Sequence, residues 1–281
     1  MCKVLKVSVS GYYYWLKHPV GVRRLQEQEL LTQIRQVYNT SHSRYGSPRI
    51  TDDLNELGIK TSRNRVARLM HKANIKSIMY QKNRVQTTDS KHDYPIANNL
   101  LNRQFSAEKP GQKWVSDITY IRTGEGWLYL TAILDLADRK VVGWALSDTL
   151  KAVDTSIAAW QMALKNRPLK GELLFHSDRG VQYACIEFRD QLKELLVLQS
   201  MSRKRNCWEN AVAESLFKTL KCELVNHVHF EIRHQAKLAT FDYIEGCGAA
   251  RRYNRRRKHS ALDYQTPLQC ESYFFTSSMA A

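Results

Sequence analysis

The chain lacks any apolar run approaching the ~18 residues a bilayer span needs. Its first residues lack a charged-then-apolar secretion pattern, because Lys3, Lys6, Tyr12 and Lys17 break it up. Both absences predict a cytoplasmic protein with no membrane partner. Cysteine is sparse and scattered: Cys2, Cys185, Cys207, Cys222, Cys247 and Cys270 include no Cys-x-x-Cys pair. That excludes a recognisable disulfide framework and predicts reduced thiols. Cys222, His227, His229 and Cys247 are the one set from which a zinc site could be assembled, and their irregular spacing argues against it. Internal repeats and sustained heptads are also missing. Acid is scarce relative to base, with 27 Asp and Glu against 43 Lys and Arg, a net charge of +16. The excess is uneven: +11 over residues 1–110, zero over 111–200 and +5 over 201–281. Two basic flanks around a neutral centre suit a protein that grips a polyanion and keeps its carboxylates central, although simple solubility gives the same composition.

Among the acids that remain, Asp117, Asp178 and Glu214 carry the most information, with 35 residues between the last two. Asp117 lies inside a β-branched run and Asp178 follows the apolar run Leu173-Leu174-Phe175. Glu214 lies in a helical stretch opening near Asn206. A carboxylate inside a strand works against strand propensity and burial. Three such groups gathered by folding make a hard oxygen site suited to Mg²⁺ or Mn²⁺ and phosphate. Taken singly, each reads better as an ordinary acid: Asp117 on an edge strand, Asp178 in a turn before Gly180, Glu214 on a helix surface.

The periodicity divides the chain. After an N-terminal arm (residues 1–22), residues 23–41 place Leu25, Leu30, Leu31, Ile34, Val37 and Tyr38 at helical spacing. A second helix is predicted to open with Ser47 as N-cap and Pro48 at the first position, pass through Ile50, Leu54 and Leu57, and stop at Gly58. A third starts at Ser62, buries Val66, Leu69, Met70 and Ala73, and puts Arg65, Arg68 and Lys72 on the opposite face. Residues 23–78 thus read as a helix-turn-helix-like DNA-binding domain or a plain three-helix module. A polar linker follows (79–110). From 111 to 245 the order is three antiparallel strands, helix, strand, helix, strand, helix, which is an α/β layer fold with a mixed sheet. Residues 246–281 form a basic C-terminal tail.

Several motifs, in order, carry a family resemblance. They are Arg44-Tyr45-Gly46-Ser47-Pro48-Arg49-Ile50, Trp114-Val115-Ser116-Asp117-Ile118-Thr119-Tyr120, His176-Ser177-Asp178-Arg179-Gly180-Val181-Gln182-Tyr183, Asn206-Cys207-Trp208-Glu209-Asn210-Ala211 with Glu214-Ser215-Leu216-Phe217, and Tyr253-Asn254 through Thr266-Pro267. With them the chain resembles bacterial insertion-sequence transposases of the DDE, retroviral-integrase-like superfamily. Within these it is most similar to the second-frame (OrfB) product of two-frame elements. The resemblance implies a ribonuclease H-like integrase core, a mixed five-stranded sheet with flanking helices, behind a small all-α helix-turn-helix domain. The chain departs from the pattern at Arg205, where Gly is usual, at Glu209, where Asp is commoner, and in an insertion at 246–252.

The resemblance further implies that Asp117, Asp178 and Glu214 are the catalytic acids and hold two Mg²⁺ ions, with Mn²⁺ as a substitute. The reaction is 3′-end nicking at the element terminus, followed by transfer of that end into a second strand. The partners implied are double-stranded DNA (terminal inverted repeats and target), other copies of the chain, and a first-frame product or frameshift fusion. Asn210, Lys218 and Lys221 share the Glu214 face of their helix and are expected to meet DNA, as is the run Arg251, Arg252, Arg255, Arg256, Arg257, Lys258. His176 reads either as a support for Asp178 or as a packed strand-end histidine. A catalytically silent DNA-binding regulator and a ribonuclease H-type nuclease are the alternative functions.

Overall fold

The computed structural model describes residues 2, 4–17, 21–78, 94–204, 206–246 and 253–279. Arg205, the insertion apart from Gly246, and residues 79–93 of the linker therefore lie outside the described residues. Two compact units result, residues 1–80 and 81–281.

The first unit holds α1 (Val9–Lys17), α2 (Val22–Thr40), α3 (Ser47–Glu56) and α4 (Arg63–Lys72). Leu30, Ile34 and Val37 of α2 pack with Ile50 and Leu54 of α3 and with Val66, Leu69 and Met70 of α4. Leu25 and Leu57, expected in this core, remain exposed. Ser62 caps α4 by accepting the Arg65 backbone N–H. At α3 the cap falls one residue earlier than expected, on Gly46, with Ser47 already helical. Gly58 ends the excursion with φ +81°, a conformation only glycine takes without strain. The N-terminal arm is not featureless: α1 forms and buries none of its residues.

The second unit is built on a five-stranded sheet in the order β3-β2-β1-β4-β5. Its strands are β1 (Lys113–Thr123), β2 (Gly126–Asp135), β3 (Val141–Ser147), β4 (Leu174–Ser177) and β5 (Leu198–Met201). β1, β2 and β3 pair antiparallel, whereas β1–β4 and β4–β5 pair parallel. The helices are α5 (Ala158–Asn166), α6 (Val181–Ala184), α7 (Ile186–Glu194), α8 (Ala211–Glu223), α9 (Arg233–Ile244) and α10 (Pro267–Met279). Alternation along β1 divides the core between the two faces of the sheet. Trp114 faces a cluster with Trp160, Phe175, Tyr183 and Phe188, drawn from β4 and α5 to α7. Val115 and Ile121 face the other cluster, with Ala213, Leu216, Phe217 and Leu220 of α8 and Ala236 and Tyr243 of α9. Gly143 on β3 allows the closest helix approach, since a Cβ there would lie 2.2 Å from the Ala159 carbonyl oxygen of α5.

The C-terminal segment belongs to this core as far as it is described. Tyr253 is buried in the α8 cluster. The Asn254 amide pairs with both backbone groups of Val141 (2.9 and 3.1 Å), occupying the open edge of β3. A buried ionic cluster holds α10: Arg167, after α5, bonds Asp135 (2.7 Å), Asp138 (2.6 Å) and Glu271 (2.7 Å). Asp135 also accepts from the Trp114 indole (2.9 Å). Among the described residues no helix is long and apolar enough to cross a membrane. Because Asp135 and Asp138 have no exposed side-chain surface, Arg167→Ala strands two buried charges. The expected cost is about 3–5 kcal/mol of unfolding free energy, read by urea denaturation. A loss under about 1 kcal/mol would show that the cluster holds nothing.

Candidate active site

β1 and β4 lie side by side with Val115 opposite His176. Continued past that pair, the same parallel register brings Asp117 beside Asp178, on strands about 4.8 Å apart. Asp117 shares its face of β1 with Val115 and Ile121, the face that α8 covers. α8 packs there because Ala213, Leu216, Phe217 and Leu220 recur at helical spacing. Its first turn carries Glu214, and two turns on Lys221 returns to the same side.

The charges of Asp178 and Glu214 act on Asp117. Burial pushes the Asp117 carboxyl well above the usual carboxylate range, and the charges of Asp178 and Glu214 push it the same way. The Ile118 backbone N–H on its Oδ1 (2.8 Å) and the Lys221 ammonium oppose the rise. Burial lowers the Lys221 ammonium while Asp117 lifts it. Glu214 is solvent-exposed as a residue, yet protein around its carboxyl is enough to raise its pKa by desolvation. The acids influence one another across a gap. Among the described residues no three His, Cys, Asp or Glu side chains are gathered so as to hold a metal ion as they stand; Cys247 of the imagined zinc set lies outside them.

Asp178 is held from both sides through Ser202. Ser202 N–H donates to the Ser177 carbonyl (2.9 Å), and the Arg179 guanidinium donates to the Ser202 carbonyl (2.6 Å). His176 supports this arrangement from a fully buried position. Leu100 and Leu101 N–H both donate to Ser200 Oγ (2.9 and 3.2 Å). The Ser200 hydroxyl is thus left to donate to His176 Nδ1 (2.8 Å). The ring proton then sits on Nε2 and donates to Ser202 Oγ (3.1 Å). Burial lowers the His176 pKa to about 4, against a smaller upward pull from Glu209. The ring is thus packed at the end of β4 and reaches the Asp178 segment only through Ser202.

The expected DNA contacts divide. Lys218 is exposed on α8, and Arg255 and Arg256 are exposed near the C-terminus. Arg257 and Lys258 are buried, and Arg257 bonds Glu223 (2.7 Å) and Thr219 (3.2 Å) on α8, so the basic run does not offer them to phosphates. Arg251 and Arg252 lie outside the described residues. Asn210 is likewise buried and donates to the Ser116 carbonyl (3.0 Å), tying the start of α8 to the residue before Asp117. In the first unit Arg65 lines a groove with Arg23, Gln26, Glu27, Asn64 and Arg68. Arg68 (3.0 Å) and Lys72 (3.7 Å) reach Glu27 of α2. The sequence motifs assign no structural role to Ser200, Ser202 or Glu209, although Glu209 stands out as a departure from the family pattern. The spacing of Ser200 and Ser202, at and just past the end of the strand beside His176, is the signal from which the first two could have been found.

A sheet of this order, with acids on neighbouring central strands and on the covering helix, defines an integrase-type polynucleotidyl transferase. The integrase core domain family matches residues 107–207, a second integrase core domain family matches 196–267, and an HTH-like domain family matches 22–83. The chain is 38% identical to the insertion element IS600 uncharacterized 31 kDa protein of Shigella sonnei, covering 95% of this chain and 96% of that one. It is 36% identical to transposase InsF for insertion sequence IS3A of Escherichia coli, covering 97% and 93%. A looser overlap (TM-score 0.47, 14% identity, 85% of this chain and 74% of the other) is with a chain of a simian T-cell lymphotropic virus intasome bound to PP2A regulatory subunit B56 gamma. The chain belongs to the IS3 family of insertion-sequence transposases.

His176 leaves a pH signature. Its folded pKa of about 4 lies below the ordinary 6.5, so between those values the unfolded chain holds a proton that the folded chain refuses. Stability contributed at neutral pH is therefore lost as pH falls from 6.5 towards 4. Relative to His176→Phe, the wild type should show an extra slope of about one proton across this window in melts followed against pH. Parallel curves would refute the buried neutral ring.

Proposed function

We propose that Asp117, Asp178 and Glu214 are the catalytic acids of a DNA transposase and hold divalent metal, Mg²⁺ with Mn²⁺ as a substitute. The observation that carries this is the β1–β4 register beside α8, which brings the charges of Asp178 and Glu214 to bear on Asp117. The donor set fits the ion. All three groups are hard oxygen donors, and the raised Asp117 carboxyl marks a site short of positive charge. When bound, such ions activate an oxygen nucleophile and stabilise the departing 3′ oxygen at a phosphodiester.

The chain's own residues would do the rest. Asp117 and Asp178 are presented from neighbouring strands, which position side chains more firmly than loops do. Asn210 holds the root of α8 against β1, so Glu214 enters at a set place. Lys221 offsets part of the acid charge, and exposed Lys218 is placed to meet a phosphate. Arg65, Arg68 and Lys72 of the helix-turn-helix unit, with Arg255 and Arg256, would grip terminal-repeat or target DNA through its backbone.

The test is metal-dependent 3′ nicking and joining of duplexes that carry the element's ends. Asp117→Asn, Asp178→Asn and Glu214→Gln should each lower the rate by about a hundredfold or more, with DNA binding kept. Full activity in any of the three would remove that residue from the site. Wild-type binding without cleavage in either metal would instead favour the silent regulator.

A further inference from the structure

The β5–α8 connection carries the most exposed aromatic side chain among the described residues, Trp208, at 71%. Trp114 and Trp160 of the same unit are fully buried. An indole left in water forgoes a large burial gain, and this one is held there by its neighbours. Glu209, the next residue, is fully buried and accepts hydrogen bonds from the Arg203 backbone N–H, the Arg203 guanidinium and Asn206 (2.9 Å). Asn210, one further on, is bonded to the Ser116 carbonyl. Two adjacent buried side chains therefore set the 3₁₀ turn Cys207–Asn210, while Trp208 has no ring partner among the described residues. The turn leads directly into the helix of Glu214 and is anchored beside Asp117. Arg203 and Lys204, on the same connection, are exposed cations.

We propose that Trp208 stacks on a nucleobase displaced from the duplex at the DNA end engaged by the three acids. This rests on the transposase reading of that site. A terminal base pair must loosen if its strand is to descend to carboxylates set in a sheet. The base then loses its stacking neighbour, and an indole face restores one. Base–aromatic stacking is worth about 1–3 kcal/mol and tolerates any sequence, since every base has a π face. Arg203 and Lys204 would meet the adjoining phosphates.

The experiment compares full-length wild type, Trp208→Ala and Trp208→Phe on duplexes whose terminal pairs are either matched or mismatched. Trp208→Ala should nick matched ends about 5- to 150-fold more slowly. Trp208→Phe should stay within about threefold of wild type, because its ring still stacks. Mismatched ends, already open, should recover part of the alanine loss, which a merely structural role would not allow. Equal rates for wild type and Trp208→Ala on matched ends overturn the proposal, as does the same loss on both substrates. Should wild type bind both duplexes and cut neither, the reading of the acids fails by itself. Stacking is then judged on binding: at least fivefold weaker binding of mismatched ends by Trp208→Ala upholds it, and equal binding overturns it.

Discussion

The parallel pairing of β1 with β4 is the constraint on which the rest depends. Side chains alternate across a strand, so a slip of one residue would turn Asp117 away from α8 and carry Val115 and Ile121 out of their core. The register is held by burial on both faces at once: Trp114 and Phe175 on one side, Val115 and Ile121 on the other. A parallel neighbour requires a crossover, and the segment from β3 to β4 supplies it, covering one face with α5. The opposite face needs its own cover. α8 provides that cover and brings Glu214 with it, so apolar packing and gathering of the acids come from the same helix.

Charge inside the molecule works differently from charge outside it. Arg167 and Arg257 are buried in ion pairs that tie the C-terminal segment to the sheet and to α8, where Tyr243 also donates to Glu223 (2.8 Å). Breaking such pairs is costly because the stranded partner cannot be hydrated. The net positive charge is thus not all available to a polyanion. The cations exposed on the acid-bearing helix and near the C-terminus are Lys218, Arg255 and Arg256.

Much of this was legible in the chain. The strands followed from alternation, and the helices from period and caps; Ser62 caps α4 as expected. Asp117, Asp178 and Glu214 were identified as a set by their motifs, and the structure brings them within electrostatic reach of one another. Failures fell where two residues of one type have opposite fates. Arg255 and Arg257 are indistinguishable in sequence, yet one is exposed and the other is paired with a glutamate 34 positions earlier. Asn210 fitted the Glu214 face by helical arithmetic, but the helix opens one residue later, and its side chain turns to β1.

By itself, the sequence determined the element order, the two-unit division and the family, because these depend on local period and on short motifs. Only the tertiary structure decided which cations face water, how the His176 proton is placed, and why Asp117 resists ionisation. Those properties arise from groups distant in the chain that exclude water from one another. Trp208 lies between the two: its motif was visible, but its exposure follows from the buried Glu209 and Asn210 that hold its turn.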